Sequence, residues 1–159
     1  MPVDVGAKAP EFTLPNQDRE PVSLSEQLKN GPVVVAFFPA AFSSVCTTEM
    51  CTFRDSASEL NTVGAKVLGI SVDTFFALKA WADAQKLDFP LLSDPTKETA
   101  KAYGVLADRG FANRWTFYIG KDGRIQAIDK DVANRLATSA EDMATKLGEL
   151  KTPMAMAKK

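Results

Sequence analysis

The chain carries two cysteines, Cys46 and Cys51, and no histidine. Both thiols fall in the stretch FFPAAFSSVCTTEMC, residues 37–51. A thiolate is a nucleophile, a redox centre and a metal ligand, so this stretch is where chemistry is expected first. The spacing is wider than that of a CxxC pair. A structural zinc usually takes about four ligands, of which carboxylates would have to supply half here, so no metal is expected. With no imidazole in the chain, any cation that stabilises a thiolate must be an arginine or a lysine.

The position of Cys46 suits activation. Cys46, Met50, Phe53, Ala57 and Leu60 recur at helical spacing, which predicts a helix starting near 45 or 46 with one apolar face. Free backbone N–H groups and the dipole at that start favour an anion. An ordinary thiol has a pKa of about 8.5, so half-ionisation at neutral pH needs roughly 2 kcal/mol. A helix terminus typically supplies about 0.3–1 kcal/mol. The remainder calls for a cation or hydrogen bonds. Ser43, three residues before Cys46, has a hydroxyl that could donate; the plainer use of Ser43 or Ser44 is to cap the helix. The plainer use of Pro39 is to end a strand.

Cys51 poses a geometric question. Five residues along a helix separate two Cα atoms by about 8.6 Å, beyond the roughly 7 Å limit for a disulfide. On an intact helix the thiols cannot join; bonding needs at least one turn to unwind. Cys51 also lies off the Met50/Phe53 face, beside Thr47, Asp55 and Ser58. From the residues alone, a redox pair and two unrelated cysteines, one of them packing, stand level.

The elements that must position these thiols follow from the apolar pattern. PVVVAFF (32–38) is a continuous β-branched and aromatic run, as in a strand buried on both faces. KVLGISV (66–72) is a second. FTL (12–14) and PVSL (21–24), joined by a turn-rich PNQDRE, form a short hairpin. Ser23 with Glu26 forms a capping box for a helical turn through Leu28. Asp73 or Thr74 caps a helix over 75–86. FPLLSD (89–94) is a short strand and turn. A helix near 97–103 ends at Gly104. RWTFYI (114–119), a GKDG turn and RIQAID (124–129) form a second hairpin, and a last helix covers about 139–150.

That order predicts an α/β sandwich with a mixed sheet flanked by helices, with a parallel crossover between the two buried strands. Sites in such sheets lie at the carboxyl ends of strands, where the 39–46 loop falls. A single domain over 1–159 is expected, with its core at about 3–150 and a mobile tail over 151–159. Hydrophobic content of 45% and charged content of 25% are ordinary for a globular protein, and the formal net charge of −1 gives no drive toward nucleic acid or anionic membranes. The sequence shows no secretory signal and no apolar run of about 18 residues, so a cytoplasmic protein without a membrane partner is expected. There a thiol pair is more often catalytic, sensing or metal-binding than structural.

Pro39-Ala-Ala-Phe-Ser43-Ser-Val-Cys46 resembles the peroxiredoxin active-site motif P-x-x-x-T/S-x-x-C, and its place after VVVAFF matches as well. GISVD (69–73), FPLLSD, AYGV (102–105) and ANRWTFYIGKDGRI (112–125) resemble the family's further landmarks, in order. The likeness spans roughly residues 3–150. The Cys46…Cys51 spacing resembles the Q type (bacterioferritin comigratory protein), whereas FFPAAF, AYGV and ANR-x-TF resemble the alkyl hydroperoxide reductase E type, typically one-cysteine and dimeric.

The resemblance implies a thioredoxin-like fold with an N-terminal β-hairpin, and a peroxidase that needs no cofactor. It implies Cys46 as peroxidatic nucleophile and Cys51 as resolving thiol. Ser43 would keep the hydroxyl of the commoner threonine, and Pro39 would shield the thiolate. Arg114 would approach thiolate and peroxide, with Glu49 orienting it. Read without the resemblance, Arg114 is an ordinary arginine at a strand start and Glu49 a first-turn acid. The implied partners are a hydroperoxide substrate and a thioredoxin-like reductant, in a monomer or homodimer with the dimer favoured. Phe42 and Trp115 permit organic hydroperoxides, though either could be core packing. A one-cysteine cycle resolved by an external thiol and a peroxide-sensing switch are the alternatives. Trp115, where thioredoxin itself carries a proline, disfavours a general disulfide reductase.

Overall fold

A computed structural model describes residues 3–42, 66–87 and 89–129. The helix expected from residue 45, the helix expected over 139–150, the tail over 151–159, and Ser43, Cys46, Glu49 and Cys51 lie outside the described residues.

Two short strands, β1 (Thr13–Pro15) and β2 (Pro21–Ser23), pair antiparallel, Leu14 facing Val22. Asn16 Oδ1 folds their connection by accepting from the N–H groups of Asp18 (2.8 Å) and Glu20 (3.0 Å). Helix α1 (Leu24–Leu28) follows, its N-cap Ser23 accepting from Glu26 N–H. The hairpin tip is clipped to the main sheet through Gln17, whose amide donates to Phe89 C=O at 3.2 Å and accepts from Leu91 N–H at 2.9 Å.

The main sheet contains β3 (Val33–Phe37), β4 (Lys66–Ser71), β5 (Leu91–Ser93), β6 (Thr116–Ile119) and β7 (Ile125–Asp129), in the order β5-β4-β3-β6-β7. β3 is parallel to β4, as expected for two buried strands joined by a crossover, and β4 is also parallel to β5. β3 is antiparallel to β6, and β6 to β7. The apolar run of β3 serves both faces. Val34, Ala36 and Phe38 join one cluster with Leu78, Trp81 and Tyr118; Val33, Val35 and Phe37 join the other with Leu68, Tyr103 and Phe117.

Helix α2 (Phe75–Gln85) covers the first face, placing Leu78 and Trp81 in the core. Of the two candidate caps, Thr74 caps it, accepting from Ala77 N–H; the Asp73 carboxylate turns elsewhere. Helix α3 (Glu98–Ala102) is one short turn followed by Gly104 at φ +71°, the left-handed position that glycine adopts without a Cβ clash. The strand expected from residue 114 starts two residues later. Trp115 N–H bonds back to Asn113 C=O at 2.9 Å, so Arg114 sits at the centre of a three-residue turn rather than in the ladder. Among the described residues no helix is long and apolar enough to cross a membrane.

Candidate active site

The sheet topology gathers one set of loops. β3, β4 and β5 run parallel, so their carboxyl ends share an edge, and β6, running the other way, begins at that edge. Pro39 leaves β3 there. The register Ala36↔Thr116 and the bond from Phe37 N–H to Trp115 C=O (2.9 Å) place Arg114 level with the chain leaving β3. Two of the residues singled out from the sequence, Pro39 and Arg114, are thus brought to one edge from positions far apart in the chain. Both are half-buried. For Arg114 this means a guanidinium partly withdrawn from water, where its charge acts more strongly than on an open surface.

The loop that leads toward Cys46 is held from two sides. Ala41 N–H donates to Asp73 Oδ2 at 2.8 Å. The same oxygen accepts from Ser71 Oγ–H at 2.8 Å, and Ser71 Oγ accepts in turn from Asp73 N–H. Ser93 Oγ–H donates to the Asp73 carbonyl at 2.6 Å. On the other side Trp81 is flanked by Phe38, with centroids 5.1 Å apart, and by Phe42, at 6.4 Å. Phe42 has φ +67° and is 57% exposed, so the alternative that it packs in the core is corrected. The left-handed turn aims its ring out beside Trp81 rather than inward. Trp115 is half-buried, against Phe117 at 6.3 Å.

Sequence reading missed Asp73 as part of this edge, weighing it only as a helix cap. A signal was present: an acid just past a buried strand, at the end of the sheet where the site was expected. Its partner, Ala41, lies 32 residues earlier and carries no side-chain cue. Among the described residues no group of three or more Cys, Asp or Glu side chains could hold a metal ion.

The sheet is thioredoxin-like, with the Pro39 loop and Arg114 meeting at its carboxyl edge, and the relatives define the class. The chain belongs to the AhpC/TSA family, which it matches over residues 5–128, and is a peroxiredoxin. It is 41% identical over 134 residues to a putative peroxiredoxin of Mycobacterium tuberculosis, covering 80% of this chain and 85% of that protein. It is 40% identical over 137 residues to the putative peroxiredoxin bcp of Haemophilus influenzae, covering 81% and 88%. Among solved structures it is similar to the peroxidoxin BcpB of Mycobacterium tuberculosis, with a TM-score of 0.82 and 33% identity over 91% of this chain and 97% of that one.

Proposed function

We propose that Cys46 is the peroxidatic thiol of a cytoplasmic, single-domain peroxidase and that Cys51 resolves it. The observation that most supports this reading is the β3–β6 register, which brings the Pro39 loop and Arg114 to one edge. The Cys46 thiolate attacks the terminal oxygen of a hydroperoxide. The O–O bond breaks, the distal oxygen stays on sulfur, and the alkoxide or hydroxide takes a proton and leaves as alcohol or water. Arg114, Ser43 and backbone N–H groups near the helix start stabilise the charge that develops on the oxygens, and Glu49 orients Arg114. Pro39 keeps bulk water from the thiolate.

Cys46 is then a sulfenic acid. Cys51 attacks its sulfur, water leaves, and an intramolecular disulfide forms once the first helical turns open. A thioredoxin-like dithiol reduces that bond by exchange and becomes oxidised itself. Hydrogen peroxide and organic hydroperoxides are both substrates, and the working unit is a monomer or a homodimer, the dimer favoured.

The test is the intact mass and free-thiol count after one equivalent of hydrogen peroxide without reductant. The expected product is a monomeric chain two hydrogens lighter, with neither thiol free. A chain heavier by one oxygen with one thiol left makes the cycle one-cysteine, resolved by an external thiol. Cys51→Ser should keep single-turnover peroxide reduction and lose recycling by thioredoxin. Unchanged steady-state turnover in that variant makes Cys51 a packing residue.

A further inference from the structure

We infer that Asp73 is a positioning residue for peroxide reduction: its carboxylate fixes the loop that leaves β3, at Ala41, to the carboxyl ends of β4 and β5. The inference rests on the assignment of Cys46 as the reacting thiol. Three strand ends meet on this one residue. Oδ2 takes the Ala41 N–H from the β3 side and the Ser71 hydroxyl from β4, each at 2.8 Å, and the Asp73 carbonyl takes the Ser93 hydroxyl from β5 at 2.6 Å. Ser71 and Ser93 are buried, so each hydroxyl is held in one orientation. Asp73 is not needed to cap α2, because Thr74 already does so.

Ala41 stands two residues before Ser43 and five before Cys46. Across the same edge, Phe37 N–H holds Trp115 C=O, next to Arg114. A hydroxyl, a thiolate and a guanidinium must converge on one oxygen pair, and the chain bearing two of them is tied by its backbone to Asp73. Misplacing reacting groups by about 1 Å can cost roughly 10²-fold in rate. Losing this tie therefore slows attack on peroxide more than it alters the thiol itself.

The test uses the full chain in a Cys51→Ser background, so that Cys46 is read alone. Two second-order rates are measured on each variant: oxidation by hydrogen peroxide and alkylation by iodoacetamide. Asp73→Ala should lower the peroxide rate by about tenfold or more while alkylation changes little, so that the ratio of the two rates falls. Asp73→Asn can place an amide oxygen where Oδ2 sits and should recover much of the ratio. Ser71→Ala removes one of the two donors to Oδ2 and leaves the Ala41 bond, so its ratio should fall between those of the parent and Asp73→Ala. A structural defect alone exposes the thiol and raises alkylation, which overturns the inference. An unchanged ratio in Asp73→Ala overturns it as well. If Asp73→Ala does not fold, Asp73→Asn decides: a ratio at least tenfold below the parent overturns acceptor geometry as the cause. If Cys46→Ser still consumes peroxide at the parental rate, the assignment of Cys46 fails, whatever the Asp73 variants do.

Discussion

Arg114 is the residue whose chemistry depends most on where the chain puts it. In sequence it opens an apolar run and reads as the first residue of a strand. In the structure it is the centre of a tight turn, with Trp115 N–H bonded to Asn113 C=O, which frees its side chain from the alternation of the ladder. An Arg guanidinium offers a planar fork of donors to two oxygens at once, whereas a lysine offers a point charge. Arg114→Ala should therefore slow oxidation of the thiol by hydrogen peroxide by about 10²–10³-fold, the usual effect of removing a donor to developing oxyanion charge. Arg114→Lys should fall between. Rapid-mixing measurement of Trp fluorescence or of residual thiol checks this, and a parental rate in the alanine variant would refute the assigned role.

Elements made of continuous apolar runs were legible in the sequence, and the links between them were not. β3 and β4 stand where VVVAFF and KVLGIS put them, because a strand buried on both faces needs an uninterrupted run. Local signals also held: Ser23 and Thr74 cap helices, and Gly104 follows one in the left-handed conformation. What the sequence could not convey is that Asp73 reaches back to Ala41, or that Phe42 turns out beside Trp81, since both depend on contacts made only after the sheet assembles. The motif P-x-x-F-S named the loop, but not what fastens it. Trp81 is fully buried and sits between Phe38 and Phe42, so its ring packs α2 against that loop. Trp81→Ala should cost about 3–5 kcal/mol, the usual range for emptying a buried aromatic site. Denaturant unfolding followed by far-UV circular dichroism should show a lower midpoint at an unchanged slope. A loss under about 1 kcal/mol would mean that the neighbouring rings close the gap.

The molecule as a whole carries almost no net charge, so its response to pH is set by individual buried groups rather than by overall repulsion. Asp94 is the clearest of these. It is 1% exposed, just past β5, and its two oxygens accept from Thr99 N–H (3.3 Å) and Ala100 N–H (2.9 Å). Burial pushes its carboxyl above the ordinary value of 3.8; the two N–H donors pull the other way, and neighbouring Glu98 adds a small push upward. A carboxyl whose folded pKa is raised binds more protons folded than unfolded. Its contribution to stability is therefore fully present below the unfolded pKa and is lost as pH rises through the folded one. Asp94→Asn removes this titration and keeps one acceptor oxygen for the start of α3. The stability of the parent minus that of Asp94→Asn, from urea unfolding at a series of pH values, should fall as pH rises above about 4 and then level off. A difference that rises with pH would show that the bonds from Thr99 and Ala100 to the ionised carboxylate outweigh its burial.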